Sequence, residues 1–200
     1  MAPLKKADTY HHGDLRAGLI EAVRQLVEEK GPDRFSVSDA CRLAGVSTAA
    51  PYRHFADKED MLLAVSLEGI RRQRAAMEAA VEGQPTGEVE TVARLGEAYV
   101  DFARREPAVF RLMFGLTRTH GNHPDMKTEG LKTYGVLLNQ IAHRLGQDDV
   151  TPLVMVRSLP LWTFVHGLSF LLIDDKLTAM KLHVEVPDLI RDTLRRLLAD

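Results

Sequence analysis

Tyr52, Arg53 and His54 stand side by side in this chain, with Lys58 four residues on and the small residues Thr48, Ala49 and Ala50 just ahead. Hydroxyl, guanidinium, imidazole and ammonium donors packed that densely suit the capture of phosphate oxygens and base edges rather than bond-making. A second set lies far along the chain. Trp162, His166 and Phe170 recur every fourth residue, which puts two aromatics and an imidazole on one helix face and suits an apolar pocket with one polar handle. The same histidine could equally be a core residue bonded to a backbone carbonyl. A third set, His120, His123 and Asp125, offers metal-ligand types but no fourth partner, so a solvated loop is expected and no metal. Nothing resembles a glycine-rich phosphate loop or a nucleophile motif, and Cys41 is the sole cysteine. No enzyme and no cofactor are expected.

The first set needs an element to present it, and Phe35 to Leu62 (FSVSDACRLAGVSTAAPYRHFADKEDML) supplies one. Ser36 can cap a short helix with Val37, Ala40, Cys41 and Leu43 on its apolar side. Gly45 can take the positive φ of a sharp corner. Ser47 then caps a second helix, Thr48 to His54, with Pro51 near enough its start to be tolerated. Asp57 caps a long helix reaching Val81. This is the outline of a helix-turn-helix, whose second helix enters a DNA major groove, although spacing alone fits an ordinary helical corner equally well.

The remaining chain reads as helix throughout, without the alternation of a half-buried strand. Leu15 to Lys30 forms a first helix capped by Asp14 and ended by Gly31-Pro32; residues 1–14 make a polar tail or a basic arm. Residues 10–56 are expected as one domain, 57–81 as a connecting helix and 85–200 as a second domain, with Gly83-Gln84-Pro85-Thr86-Gly87 as the linker. Arg71, Arg72 and Arg74 read as a solvated face. A helix kinked at Pro160 spans 152–175 and a last one 187–199. Gly167 should let another helix come close. With 200 residues, 45% hydrophobic and 27% charged, the composition is that of a globular protein. The longest apolar stretches fall short of a membrane span. Lys5 and Lys6 precede no apolar run, so no secretory signal is expected, and a lone cysteine suits a reducing cytoplasm. Net charge is −2: nine Lys and Arg against eight Asp and Glu over residues 1–58 leave +1 there and −3 beyond. DNA affinity would then depend on where the charges sit, not on their sum.

The stretch LAGVSTAAPYRHFADKEDML is similar to the signature of the tetracycline-repressor-like (TetR) family: Ala44, Gly45, Val46, Ser47, then Tyr52, His54, Phe55, Lys58 and Glu59. Ala49 stands where that family often has glycine, Ala40 where it usually has isoleucine. REPAVFRLMF (Arg105 to Phe114) and the Trp162…His166-Gly167 arrangement resemble the C-terminal domain of a subgroup named for Trp-His-Gly. The resemblance implies an all-α regulator with an N-terminal helix-turn-helix, acting as a cytoplasmic homodimeric repressor on a pseudo-palindromic operator and released by a small-molecule effector. It implies DNA contacts around Ser36, Ser47, Thr48, Ala49, Ala50, Tyr52, Arg53, His54 and Lys58, with Tyr52, His54 and Lys58 on the backbone; Thr48 and Arg53 are the candidates for base edges, and Arg53 could equally hold a phosphate. It places dimerisation in 152–175 and 187–199. The pocket candidates are Tyr99, Phe110, Met113, Phe114, Tyr134, Trp162, His166 and Phe170. A rival reading is a dimeric ligand- or protein-binding helical module that no longer reads specific DNA.

Overall fold

The computed structural model describes residues 12–115 and 123–199. Most of the arm expected over 1–14 and His120 of the histidine loop lie outside them. Among the described residues there are helices and no strand.

The chain divides into two compact units, one ending at Val65 and one beginning at Ser66. In the first, α1 (His12–Lys30) begins ahead of Asp14 and stops where Gly31 takes a φ of 84°. Leu19, Val23, Leu26 and Val27 on its buried face pack with Phe35, Ala40, Cys41 and Phe55. α2 (Val37–Ala44) is short, and its ends are set chemically. Ser36 and Asp39 close a capping box, and Gly45, at a φ of 68°, turns the chain.

The expected second helix over 48–54 is absent as an α-helix. A turn at Ser47–Ala50 runs into a single 3-10 turn, Pro51–Arg53. Pro51 has no N–H to return to Ser47, so the bonds close one residue early: Ala50 N to Ser47 O at 3.1 Å and His54 N to Pro51 O at 2.8 Å. The long helix that follows is therefore α3 (Lys58–Val81). Asp57 Oδ1 accepts from Asp60 N, and Asp60 Oδ2 from Ala56 N, at its start.

The second unit holds the rest of α3, then α4 (Val89–Arg105), α5 (Pro107–Phe114), α6 (Pro124–Arg144), α7 (Pro152–Ile173), the single turn α8 (Lys176–Ala179) and α9 (Val186–Leu197). α4 is its centre, buried along Val92, Leu95, Tyr99 and Val100 and packed chiefly on α7 and α9. α7 runs through Pro160 without ending.

Four expectations change here. Residues 83–87 are not a loose linker: Gly87 N donates to the buried Gln140 Oε1 at 2.8 Å, and a Cβ on Gly87 would lie 2.8 Å from the Arg144 backbone nitrogen. Two of the three α3 arginines are not a solvated face either. Arg72 grips Glu106 at 2.6 Å, and Arg74 grips the mostly buried Glu129 at 2.6 Å, so α3 is pinned to the α4–α5 corner and to α6. The Arg74 bond and a second one from Lys132 Nζ, at 3.1 Å, hold the Glu129 carboxyl below the usual carboxylate range. Among the described residues no helix comes close at Gly167, where an added Cβ would meet nothing within 4 Å. Finally, α7 is long and apolar enough to cross a membrane by length and composition, with a mean hydropathy of 1.4, because its outer face is apolar as well as its inner one. Leu153, Val156, Leu159 and Leu171 are exposed along it.

Candidate nucleic-acid interface and apolar cavity

Local bonds hold the outward-facing stretch of the first unit in place. Ser36 N donates to Asp39 Oδ2 at 2.9 Å, Asp39 N donates back to Ser36 Oγ at 3.1 Å, and Ser36 Oγ donates to the same carboxylate at 2.8 Å. Those donors keep the Asp39 carboxyl below its ordinary range. Beyond α2, Val46 N closes on Cys41 O at 3.0 Å, so the corner is fixed before Ser47 begins. Pro51 and Phe55 are buried and anchor the two ends of the 3-10 turn. Ser47, Thr48, Ala49, Tyr52 and Arg53 are left exposed; Tyr52 keeps 64% of its surface in solvent. A bulky aromatic turned outward beside an arginine is what a phosphate-gripping surface needs.

Two of the expected contacts are placed differently. Lys58 is half-buried, its Nζ 4.4 Å from the centre of the Phe35 ring and donating to Asp33 O at 3.3 Å. His54 is half-buried, with a buried Nε2 that has no hydrogen-bond partner among the described residues. Arg16 lies 5.3 Å from the centre of the Phe55 ring, a packing role that no local pattern announces.

In the second unit a cavity of about 550 Å³ opens between α3, α4, α5, α6, α7 and α9. Its walls come as helical stripes: Ile70, Gln73 and Met77 from α3; Val92, Leu95 and Tyr99 from α4; Thr133, Tyr134 and Leu137 from α6; Leu161, Trp162 and Val165 from α7. Phe114 and Leu194 complete it, with the exposed Lys127 and Leu131 on its solvent side. The volume is in the range that holds a drug-sized ligand.

Family descriptions account for both units. Residues 19–65 match "Bacterial regulatory proteins, tetR family", and residues 92–197 match "Tetracyclin repressor-like, C-terminal domain". The chain belongs to the TetR family. It is therefore a TetR-family transcription regulator with a helix-turn-helix DNA-binding region. Solved structures agree in fold over nearly the whole length. A protein of unknown function from Rhodococcus sp. RHA1 superposes with a TM-score of 0.79 at 27% identity, covering 96% of this chain and 97% of its own. A TetR-family transcriptional regulator from Streptomyces coelicolor gives 0.72 at 16% identity, over 92% and 79%. One from Marinobacter aquaeolei gives 0.69 at 21%, over 94% and 97%. No curated protein sequence matches.

Of the pocket candidates in this TetR-family chain, Tyr99, Phe114, Tyr134 and Trp162 line the cavity. Phe110, His166 and Phe170 stand behind it as a tight aromatic cluster, and Met113 is buried on α5 without lining the cavity: Phe110 is fully buried, and its ring centre lies 5.8 Å from that of Tyr99 and 5.4 Å from that of Phe170. His166 Nδ1 and the Tyr99 hydroxyl share a hydrogen bond of 2.8 Å. Burial lowers the His166 pKa, which favours the neutral ring, and burial raises that of the Tyr99 phenol, opposed in part by Trp162 and Gln73 nearby. His123 Nδ1 accepts from Asp125 N at 3.3 Å and so caps α6. Among the described residues no group of three metal-ligating side chains comes together. The residue that pattern reading missed is Gln73, an amide in the apolar stripe Ile70–Gln73–Met77, visible in the sequence as one polar side chain on a core-facing position.

Proposed function

We propose that this regulator is a homodimeric repressor that binds a pseudo-palindromic operator and is released when a small-molecule effector fills the second unit's cavity. The observation that carries the reading is the pairing, in one chain, of a turn that exposes Thr48, Ala49, Tyr52 and Arg53 with a largely apolar cavity of about 550 Å³. Thr48 and Arg53 reach toward base edges, Ala49 and Ala50 allow close approach to a thymine methyl, and Tyr52 holds a phosphate. Ser36, with its hydroxyl and backbone N–H both engaged by Asp39, serves the site chiefly by fixing α2. Two-fold symmetry calls for half-sites roughly one helical turn apart or slightly more.

The exposed outer face of α7, with Val156, Leu159, Gly167 and Leu171, supports dimerisation through 152–175 together with 187–199, and the same apolar surface needs no membrane. The bare Cα of Gly167 would admit a second helix closely. The Trp162…His166-Gly167 spacing supports membership of the Trp-His-Gly subgroup and its effector-responsive habit, in the cytoplasm. An effector releases DNA only if it binds more tightly to the conformation that does not fit the operator, and α3, which enters both units, is the lever available.

Binding to the DNA upstream of the protein's own gene tests the reading, at two salt concentrations with excess random DNA. A footprint over a pseudo-palindrome that survives competitor is the expected result. Loss of binding to competitor, together with failure to enrich any sequence from a random pool, would replace it with the ligand- or protein-binding module.

A further inference from the structure

The cavity is apolar within and charged only at its rim. Among the described residues that line it, Lys127 alone carries a charge. It is exposed, early in α6, and its ammonium has no ion-pair partner among the described residues. From there the lining residues of α6 sink steadily: Leu131 keeps 70% of its surface in solvent, Tyr134 is half-buried and Leu137 is only 8% exposed. The deeper polar side chains are turned to the protein. The Tyr99 hydroxyl and His166 Nδ1 share a bond of 2.8 Å, the Thr133 hydroxyl donates to the Glu129 carbonyl at 2.9 Å, and the Gln73 Nε2 is buried away from the cavity. A charge carried inward would therefore lose its water and meet no counter-charge. A charged ligand has to leave its head at the rim, where the one group to meet it is a cation.

We propose that the cavity takes an anionic amphiphile, with a hydrocarbon tail running inward past Leu131 and Tyr134 and a single carboxylate-like head held in water at Lys127. The proposal rests on the reading of the cavity as the effector site and adds the ligand's chemical class and its orientation. Affinity comes from the apolar walls, and Lys127 selects the sign of the head. An ion pair left in water is weak, so that selection is several-fold and not absolute. The protein as a whole carries a net charge of −2, which on its own would favour a cation, so a preference for an anion has to come from the rim.

Trp162 is the only tryptophan in the chain and lies in the cavity wall, so its emission reports occupancy. The full-length protein and its Lys127→Gln and Lys127→Glu variants are titrated, below micelle-forming concentrations, with octanoate, decanoate, decylammonium and decanedioate. Decanoate should bind the unaltered protein about five-fold more tightly than decylammonium. Lys127→Gln should abolish that preference and Lys127→Glu should reverse it. Decanoate should exceed octanoate by about four-fold for each added methylene, as a buried tail requires. Decanedioate should bind about 100-fold more weakly than decanoate, because one of its carboxylates would have to enter the hydrocarbon interior. Decylammonium equal to decanoate on the unaltered protein, a preference that neither substitution moves, or decanedioate matching decanoate would overturn the ligand class and leave the cavity reading intact. Trp162 emission unmoved by every probe would overturn both. The comparisons among the four probes need no variant, so a misfolded substitution does not shield the proposal.

Discussion

The unit ending at Val65 turns its working groups outward, whereas the unit from Ser66 turns its own inward. Thr48, Ala49, Tyr52 and Arg53 lie in one short stretch held by backbone bonds and meet solvent, with Pro51 buried between them. Ile70, Tyr99, Tyr134, Trp162 and Leu194 come from five helices and are brought together only by the fold, around one cavity. The first arrangement depends on short-range hydrogen bonds and turn chemistry, the second on long-range packing. Changes to the first should therefore act mainly through DNA affinity, and changes to the second mainly through stability and ligand response.

The most severe test of that contrast is Phe110→Ala, which deletes a fully buried ring from the cluster behind the cavity. It should cost about 3–5 kcal/mol in urea unfolding followed by Trp162 emission. A cost below about 1 kcal/mol would mean that packing does not govern the second unit. Next, Ser36→Ala removes one side of the capping box and should cost about 1 kcal/mol of the first unit's stability, read by hydrogen exchange of the α2 amides. If α2 protection stayed the same, its placement would owe nothing to the cap.

Tyr52→Phe should weaken binding to operator and random DNA by the same small factor, about five-fold, since a phosphate contact carries no sequence information. A selective loss on operator would reassign the hydroxyl to base reading.

The gentlest test is pH. Burial lowers the His166 pKa from its ordinary 6.5, so on acidification the unfolded chain takes up this proton first. Its contribution is complete above the ordinary value and is lost progressively as pH falls below it toward the folded value. His166→Phe should therefore flatten the decline of Tm between about pH 7 and 5 relative to the unaltered chain. A parallel decline would show that the imbalance lies elsewhere.

Local order is also why the first unit could be read along the sequence. Ser36, Gly45 and Asp57 act on residues within four positions of themselves, so their types announce α2, the corner and the start of α3. Pro51 is legible only in part: a helix start tolerates one missing N–H, but over so short a stretch the loss leaves a 3-10 turn. In the second unit the helical stripes were legible, yet which faces close on each other was not. Phe110 and Met113 looked as suitable for a cavity wall as Phe114, and only the packing of α5 separates them. Gln73 stands in an arginine-rich run, and only the helices that close around it make it a buried residue. The outer face of α7 is apolar without being core, and spacing alone does not distinguish the two.

The turn from Gly83 to Gly87 has a consequence for engineering. Surface turns rich in glycine and proline are the customary places to splice in an epitope or a reporter. Here the backbone of Gly87 is pressed against that of Arg144, and Arg144 in turn donates to Leu198 O at 3.0 Å. An added residue at that point would push the end of α6 off its seat and unfasten the last turn of the chain. The segment that composition marks as most permissive is one of the least tolerant of a change in length.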